Sequence, residues 1–223
     1  MGEQTFGIEQ AACHKIAVAL KQVADLNVQM ALVVGGGNIF RGHQGEAFGF
    51  ARTPADHIGM LATVINGIIL YQSLEKLGVK CRVMSAFDTD TMVETYNWAH
   101  ALQALEQGIC TIFVGGTGNP YFTTDSAAAL RASEIHAEVL FKGTKVAGVY
   151  DEDPVKNPKA KKYSHLTYEE VLLRKLNVMD ATAIALCREN RIPICVFDLF
   201  ESDIIYRAIM GESVGTLVSG DAK

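Results

Sequence analysis

Apolar and polar positions follow two different periods along this chain. In residues 8–26 apolar side chains return every three or four positions (Ile8, Ala12, Ile16, Leu20, Val23), which predicts an amphipathic helix. Residues 28–34, 79–85 and 109–114 are short and mostly apolar, which is typical of buried strands. Further helices are predicted from Thr53 and Pro54 to Gly78, over 92–107 and over 126–134.

The second half of the chain continues this alternation in shorter pieces. Strands are predicted over 139–141, 146–150, 194–197 and 216–218, a loop over 151–163, and helices that begin at Thr167 (with Glu170 as its capping-box partner), Asp180 and Ser202. Alternating strands and helices indicate an α/β protein with a largely parallel sheet and helices on both faces. We expect a single domain over residues 1–223, with the long loop after Tyr150 as the candidate seam between lobes.

Composition narrows the class of protein. The 223 residues are 49% hydrophobic and carry a net charge of -5, whereas nucleic-acid binding favours a basic face. The five cysteines stand apart, without a CxxC pair, as expected for buried thiols in a reducing compartment. Neither a leader peptide nor an apolar run of about 20 residues is evident, so we expect a soluble cytoplasmic protein.

The most informative segment is residues 115–125, Gly-Gly-Thr-Gly-Asn-Pro-Tyr-Phe-Thr-Thr-Asp. It lies between a predicted strand and a predicted helix, where free backbone N–H groups can bind an anion. Its hydroxyls, its amide and its two rings offer partners for a phosphate, a sugar and a base. A nucleotide is therefore the first hypothesis for the ligand.

A second glycine-rich turn covers residues 35–42, Gly-Gly-Gly-Asn-Ile-Phe-Arg-Gly. Three consecutive glycines allow close approach of a phosphate, and Arg41 supplies a planar fork for its oxygens. One such turn alone is more often a tight turn without a ligand, but two of them favour ligand binding. Neither turn is a Walker loop, and neither is a Rossmann fingerprint because Phe40 occupies the third glycine position.

Two carboxylates have both a structural and a functional interpretation. Asp56 follows the predicted helix start at Thr53 and Pro54, so it can stabilise that first turn or accept bonds from ribose hydroxyls. Asp125 can cap the next helix, orient a lysine or hold Mg²⁺. We leave both alternatives open for each residue.

Residues 142–154 combine two lysines, a tyrosine and an acidic loop. Lys142 or Lys145 can neutralise a phosphoryl group in transfer. Tyr150 can pack on a base, and Asp153 can accept a hydrogen bond from the amino group of that base or from ribose. By themselves these residues also fit a surface hairpin with solvated lysines. The six histidines show no metal-ligand spacing.

Four segments, residues 34–42, 56–63, 116–127 and 142–146, together resemble the bacterial UMP kinases (uridylate kinases) of the amino-acid kinase superfamily. The resemblance runs through essentially the whole chain, and the Gly-Asn-Pro-aromatic-Phe-Thr-Thr-Asp block is its most specific part. It implies a three-layer α/β/α sandwich with a mostly parallel central sheet (the amino-acid kinase fold), lacking its first strand. It also implies that UMP is bound roughly by residues 1–135 and ATP roughly by residues 136–223.

The resemblance assigns roles residue by residue. UMP would be bound by Gly36, Asp56, Thr117, Gly118, Asn119, Pro120, Tyr121, Phe122, Thr123 and Thr124. ATP would be bound by Gly37, Arg41, Thr144, Tyr150 and Asp153. The catalytic residues would be Arg41, Asp125 and Lys142, with Mg²⁺ bound to ATP and no metal held by the protein alone.

The same resemblance implies a reaction and its regulation. The family transfers the γ-phosphoryl of ATP to UMP, giving UDP in pyrimidine nucleotide biosynthesis, and assembles as a homohexamer. Residues 2–7 resemble the segment that responds to GTP as an allosteric activator, with UTP as an inhibitor. No nucleic acid or membrane partner is expected.

One feature departs from the family pattern. Members begin with a strand and a Lys-x-Ser-Gly-Glu turn, whereas this chain starts at Met1-Gly2-Glu3, beyond that point. We expect either that Met1 lies downstream of the start of a longer chain, or that the product is a catalytically silent nucleotide-binding protein. The intact later motifs favour the first. Another small-molecule kinase of the superfamily, acting on a carboxylate or carbamate, is a further alternative, which the rings at 121 and 122 disfavour.

Overall fold

A computed structural model describes residues 7–89 and 91–220, and in it the chain forms two compact units. The boundary falls between Ala127 and Ala128, inside a helix and upstream of the loop after Tyr150. The assignment of UMP to residues 1–135 and of ATP to 136–223 stays a prediction.

The first unit is built on a four-stranded parallel sheet. Its elements are α1 (Gln10–Ala24), β1 (Ala31–Val33), α2 (Gly42–Ala47), α3 (Arg52–Glu75), β2 (Cys81–Ser85), β3 (Glu94–Thr95), α4 (Trp98–Glu106) and β4 (Cys110–Val114), followed by α5 (Thr124–Glu134), which continues into the second unit. The strand order is β1-β4-β2-β3, and every neighbouring pair is parallel. The carboxyl ends of all four strands therefore lie at one edge of the sheet.

The second unit holds a separate mixed sheet. Its elements are β5 (Leu140–Thr144), β6 (His165–Thr167), α6 (Tyr168–Leu173), α7 (Ala181–Glu189), β7 (Ile194–Asp198), α8 (Ile204–Ile209) and β8 (Thr216–Ser219). The order is β5-β7-β8-β6, with β7 and β8 antiparallel and the other pairs parallel. Across the two sheets the prediction of mostly parallel strands is confirmed.

Helix α3 packs on strands β2 and β4 at very close range. A Cβ atom at Gly67 would lie 2.2 Å from Val114 Cγ1, so only glycine permits this approach. By length and composition alone α3 is also the one helix among residues 7–89 and 91–220 that could cross a bilayer. A helix that packs on a sheet passes the same test, so this finding is weak support for a membrane span.

The start of α3 differs from the prediction. The helix begins at Arg52, with Ala51 as an N-cap that makes no side-chain hydrogen bond, so the predicted start at Thr53 and Pro54 is wrong. Arg52 Nε donates to Asp56 Oδ2 at 2.8 Å, an i,i+4 pair that stabilises the added first turn. Pro54 still lies in that turn, where its missing N–H removes no helical hydrogen bond.

The helix predicted over 92–107 is shorter than expected. It starts at Trp98 because the Asn97 side chain accepts from the backbone N–H groups of Ala99 and His100, an N-cap that the pattern did not indicate. Upstream of it, Glu94–Thr95 pairs with β2 as a strand.

Two further boundaries are corrected in the second unit. The strand predicted over 139–141 is β5, which extends to Thr144, whereas residues 146–150 form no strand of their own beyond the isolated bridge of Tyr150 with Lys162. At the end of β5, Thr144 Oγ1 accepts from the N–H of Val146 at 3.1 Å and turns the chain. The last helix begins at Ile204, two residues after Ser202, whereas the capping box of Thr167 and Glu170 and the cap at Asp180 are confirmed.

Three helices end in the same hydrogen-bonded motif. After α5, α6 and α7 a non-glycine residue adopts a left-handed backbone, with φ of 55° at His136, 52° at Lys175 and 56° at Arg191. After α7, for example, Arg191 N donates to Arg188 O and Ile192 N donates to Cys187 O, which is a Schellman arrangement. These ends satisfy their carbonyls without the glycine that usually stands there.

Candidate active site

The two glycine-rich turns meet at one edge of the first unit's sheet. Strands β1 and β4 are parallel neighbours, and each turn follows the carboxyl end of one of them. A Cβ at Gly35 would lie 3.4 Å from Thr124 Oγ1, so the segments that follow the two strands touch. Loops at the carboxyl edge of a parallel sheet are the usual place for a nucleotide.

Gly36 is held tightly against helix α3. A Cβ there would lie 2.6 Å from Gly59 O and 2.8 Å from Ala62 Cβ. Any larger residue would push the turn away from the helix. This packing is a structural reason for glycine at position 36, in addition to the predicted phosphate contact.

Asn66 fixes the same turn, and the sequence analysis did not identify it. Its Nδ2 donates to Gly35 O at 2.8 Å and to Asn38 Oδ1 at 2.6 Å, while Asn38 Nδ2 donates back to Asn66 Oδ1 at 3.2 Å. Asn38 is buried, so this pairing satisfies polar groups that water cannot reach. The signal in the sequence was an amide in an otherwise apolar stretch of helix.

Thr63, also on α3, anchors the second turn. Its Oγ1 accepts from the N–H of Gly115 at 2.6 Å and donates to Met60 O at 2.7 Å. The side chain is buried, so the bond is shielded from water. Sequence reasoning gave this hydroxyl no role of its own.

Asp56 joins α3 to the segment that carries the aromatic rings. Its Oδ2 accepts from the N–H of Tyr121 at 2.8 Å as well as from Arg52 Nε, and its side chain is only 13% exposed. Because α3 begins at Arg52, Asp56 lies beyond the first helical turn, and its interpretation as a first-turn carboxylate is wrong. The carboxylate instead fixes Tyr121 in a left-handed conformation with φ of 71°.

The rings of Tyr121 and Phe122 stand out from this loop. Tyr121 is 64% exposed and Phe122 is 51% exposed. The guanidinium carbon of Arg52 lies 5.3 Å from the centre of the Tyr121 ring, which orients that ring by a cation–π contact. Two exposed rings on a hydrogen-bonded loop suit the packing of a nucleobase.

The tight turn before the rings depends on its glycines. Gly118 N donates to Gly115 O at 3.0 Å, and Gly118 has a φ of +82°. A Cβ on Gly118 would lie 2.8 Å from Ala86 O, so the turn also packs on the chain after β2. Thr117 Oγ1 accepts from the N–H of Asn119 at 3.2 Å within the same turn.

Helix α5 begins directly after this loop, and Thr123 is its cap. Thr123 Oγ1 accepts from the N–H of Asp125 at 3.0 Å and of Ser126 at 3.4 Å. Asp125 therefore does not cap the helix but lies in its first turn, where the helix dipole stabilises a carboxylate. Thr124 is the residue that faces Gly35.

Arg41 is oriented through one nitrogen of its guanidinium group. Its Nε donates to Gly37 O at 2.8 Å, and its backbone N–H donates to Gln44 Oε1 at 2.8 Å. The side chain is exposed at the end of the glycine turn. Because the hydrogen bond to Gly37 O fixes Nε, the other two guanidinium nitrogens are held in an orientation that suits bidentate binding of phosphate oxygens.

The predicted ATP residues of the second unit lie at or after the carboxyl end of β5. Lys142, which the resemblance assigns as catalytic, is half-buried within β5, opposite Val196 of β7. Thr144 Oγ1 donates to Val146 O at 2.6 Å and contacts Phe197 O at 3.2 Å. These bonds shape the turn at the carboxyl edge of this sheet.

Tyr150 and Asp153 lie in the loop that follows. Tyr150 forms an isolated antiparallel bridge with Lys162. Asp153 Oδ1 accepts from the N–H of Val155 at 3.0 Å, so part of this carboxylate stabilises the loop itself.

Thr216, which the sequence analysis did not identify, holds that loop to β8. Its buried Oγ1 accepts from the N–H of Val149 at 2.9 Å and donates to Tyr163 O at 2.5 Å. A Cβ on Gly148 would lie 2.5 Å from the same oxygen, so the loop approaches β8 as closely as its backbone allows.

Within residues 7–89 and 91–220, no cluster of three or more metal-ligating side chains occurs. Mg²⁺ in phosphoryl transfer is held mainly by substrate phosphates, water and one or two carboxylates, so it needs no such cluster. Asp125, at the carboxyl edge of the first sheet, has the oxygen chemistry that this ion prefers.

Comparison with known proteins gives consistent matches along the chain. The amino acid kinase family model matches residues 3–198. A uridylate kinase from Protochlamydia amoebophila is 56% identical over 221 residues, covering 98% of this chain and 88% of that protein. The chain belongs to the amino acid kinase family and, within it, to the uridylate kinases.

Solved structures of uridylate kinases agree with the fold. UMP kinase from Bacillus anthracis superposes with a TM-score of 0.96 at 35% identity, over 99% of this chain and 91% of that one. UMP kinase from Ureaplasma parvum gives a TM-score of 0.90 at 38% identity, over 95% and 90%. The predicted amino-acid kinase fold is confirmed.

Proposed function

We infer that this chain is a transferase that moves the γ-phosphoryl group of ATP to UMP and gives UDP and ADP. The observation that carries this function is the 56% identity with a uridylate kinase along 98% of the chain. The exposed rings and hydroxyls of residues 117–124, beside the glycine turn after β1, agree with a nucleotide as the acceptor.

The residues of the first unit would bind UMP. Gly36, with its backbone against α3, leaves room for the nucleotide phosphate, and the turn from Thr117 to Pro120 supplies polar atoms. Tyr121 and Phe122 would pack on the base, and Thr123 and Thr124 would lie near the phosphate end. Asp56 would accept from ribose while it fixes the N–H of Tyr121.

The residues assigned to ATP occur in both units. Gly37 and Arg41 follow β1, while Thr144, Tyr150 and Asp153 lie at or after the end of β5. Arg41 would bind phosphate oxygens with the guanidinium nitrogens beyond its Nε, and Tyr150 would pack on adenine.

In the reaction a phosphate oxygen of UMP attacks the γ-phosphorus, and the bond between that phosphorus and the β–γ bridging oxygen breaks. ADP leaves with the electron pair, and no covalent enzyme intermediate forms. Arg41 and Lys142 neutralise the charge on the moving group, and Asp125 orients the cationic groups around it. Bound Mg²⁺ supplies further charge neutralisation on the phosphates of ATP.

We propose a homo-oligomer, a hexamer by resemblance, in the cytoplasm, serving pyrimidine nucleotide biosynthesis. Exposed apolar side chains on α3 (Leu61 at 49% and Ile65 at 46%) and the stacked rings of Phe48 and Phe50 support an interface between copies.

Activation by GTP and inhibition by UTP belong to the same proposal. The segment assigned to that response, residues 2–7, lies outside the described residues except for Gly7.

The function is tested by product analysis of the purified chain. Incubation with Mg-ATP and UMP should give UDP and ADP in equal amounts, and CMP, AMP, carbamate or acetate should give much less ADP. Equal use of a carboxylate or carbamate would contradict the acceptor. Nucleotide binding without any UDP formation would contradict the transferase.

A further inference from the structure

Two of the five cysteines are direct neighbours across the sheet of the first unit. Cys81 is the first residue of β2 and Cys110 the first of β4, and the two are register partners on adjacent parallel strands. Neighbouring strands lie about 4.8 Å apart. That spacing falls within the range of about 4.4–6.8 Å between the Cα atoms of disulfide-bonded cysteines.

The two thiols differ in their access to solvent. Cys110 is buried, with 4% of its surface exposed, whereas Cys81 is half-buried. Cys81 Sγ also lies 3.4 Å from Val79 O, at the point where the chain enters β2. A small oxidant can therefore reach Cys81 before it reaches Cys110.

The two thiols also differ in acidity. A hydrogen bond with Cys110 lowers the pKa of Cys81, an effect that outweighs burial and the nearby Glu75 carboxylate, both of which raise it. The same hydrogen bond, with burial, raises the pKa of Cys110. As the pH rises, the thiolate, which is the reactive form of cysteine, therefore forms first on Cys81, the more accessible of the two.

We propose that Cys81 and Cys110 form a reversible redox dithiol that peroxides convert into an intramolecular disulfide. The Cys81 thiolate attacks a peroxide oxygen, the O–O bond breaks, and Cys81 becomes a sulfenic acid while water or an alcohol leaves. The Cys110 sulfur then attacks the Cys81 sulfur, the S–O bond breaks, and water leaves with the Cys110 proton. Both thiols are oxidised, the peroxide is reduced, and a reducing thiol reverses the change.

The pair lies at the opposite edge of the sheet from the nucleotide loops. Cys110 begins β4 and Val114 ends it, a separation of about 13 Å at the rise of a strand. We therefore expect the disulfide to link β2 to β4 without altering the turn that follows Val114. Because a cross-link restricts the unfolded chain, the oxidised protein should also unfold at a higher temperature.

The other described cysteines lack this arrangement. Cys187 lies on α7, and Cys195 in β7 pairs in register with Phe141 and Leu217. Cys13 lies on α1, a helix that contains no second cysteine. In the described part of the chain, only β2 and β4 place cysteines in register.

The test is to treat the reduced full chain with hydrogen peroxide, quench it, and titrate its thiols under denaturing conditions. We expect the count to fall from five to three, the intact mass to fall by about 2 Da, and a peptide map to show Cys81 linked to Cys110. Dithiothreitol should restore all five thiols. An unchanged count, a bridge between other cysteines, or a bridge between two chains would overturn the proposal.

Variants separate this pair from general oxidation. After peroxide treatment, Cys81→Ser should keep its thiols or gain oxygen at single cysteines, and it should form no internal disulfide. The matched control Cys195→Ala should still lose two thiols. A bridge that persists in Cys81→Ser would overturn the assignment. The peptide map of the unaltered chain decides the question if a variant does not fold.

Discussion

Three polar side chains of α3 hold the two glycine-rich loops of the candidate active site in place. Asp56 accepts from Tyr121, Thr63 accepts from Gly115, and Asn66 donates to the carbonyl of Gly35. They are seven and three positions apart, so they share one face of the helix. The loops therefore owe their conformation to a helix that follows one of them and precedes the other in the chain.

At this scale the sequence predicted the loops better than their supports. The glycines, the rings and Asp125 were visible because their residue types and order are unusual. Asn66 was not, because the partner of a lone amide, the carbonyl of Gly35, lies 31 positions away. Long-range pairing of this kind depends on packing that a pattern does not encode.

Replacing Asp56 by alanine should weaken the binding of UMP much more than the binding of ATP. The substitution removes the acceptor for the N–H of Tyr121 and the partner of Arg52, and bonds to a charged group are worth about 1.5–3 kcal/mol. We expect the KM for UMP to rise roughly tenfold or more, with little change for ATP. Asp25→Ala, which removes an exposed i,i+4 pair with Lys21 on α1, is the matched control. Equal changes in both KM values would argue against the UMP assignment.

Replacing Asp125 by asparagine should affect turnover and leave binding nearly intact. The variant keeps the size of the side chain and loses its charge, which we propose orients the cations around the phosphoryl group. We expect kcat to fall by about a hundredfold or more, with UMP affinity within several-fold. Steady-state kinetics and UMP titration measure the two effects. Normal turnover would limit Asp125 to a structural role in α5.

At the scale of elements, the contact between α3 and β4 depends on a missing side chain. Gly67 lies against Val114 and Ile112 of the strand, and a Cβ there would clash with Val114. The strand in turn positions the turn at Gly115. Periodicity predicted both the helix and the strand, but it did not predict how closely they pack.

Gly67→Ala should therefore destabilise the protein although alanine favours helices. Overpacking costs about 1–3 kcal/mol, more than the gain of about 1 kcal/mol from helix propensity. Gly59→Ala in the same helix is the control, because a Cβ there meets nothing within 4 Å. Chemical denaturation should show a loss of unfolding free energy for the first variant and a small gain for the second. A gain for both would mean that the strand moves aside without cost.

Boundaries of elements were the least predictable part of the fold. Asn97 and Arg52 shifted the starts of α4 and α3 by capping and pairing that compete with the hydrophobic pattern. The capping box at Thr167 was predictable because both of its residues are local. Local chemistry can be recognised in a sequence, whereas the choice between two competing local signals depends on the tertiary fold.

At the scale of the whole molecule, the exposed apolar surface of α3 bears on assembly. Leu61 and Ile65 are one turn apart and about half exposed. Their placement agrees with the proposed contacts between copies of the chain.

Ile65→Asp should lower the oligomeric state. A carboxylate buried in an apolar interface loses hydration without gaining a partner, so association should weaken strongly. Light scattering after gel filtration measures the mass of the assembly. Val155→Asp, on an 82% exposed loop residue, should leave that mass unchanged. Retention of the full mass by Ile65→Asp would place the interface elsewhere.

The non-glycine residues at the helix ends, His136, Lys175 and Arg191, make the protein less stable than glycine at the same positions would. A left-handed backbone costs a non-glycine residue about 1–2 kcal/mol, and a cation near a helix C-terminus recovers only about 0.3–1 kcal/mol. Glycine at each position would relieve the backbone strain, at the smaller loss of the side-chain charge. Glycine at these three positions of the second unit thus offers a route to a more heat-tolerant protein.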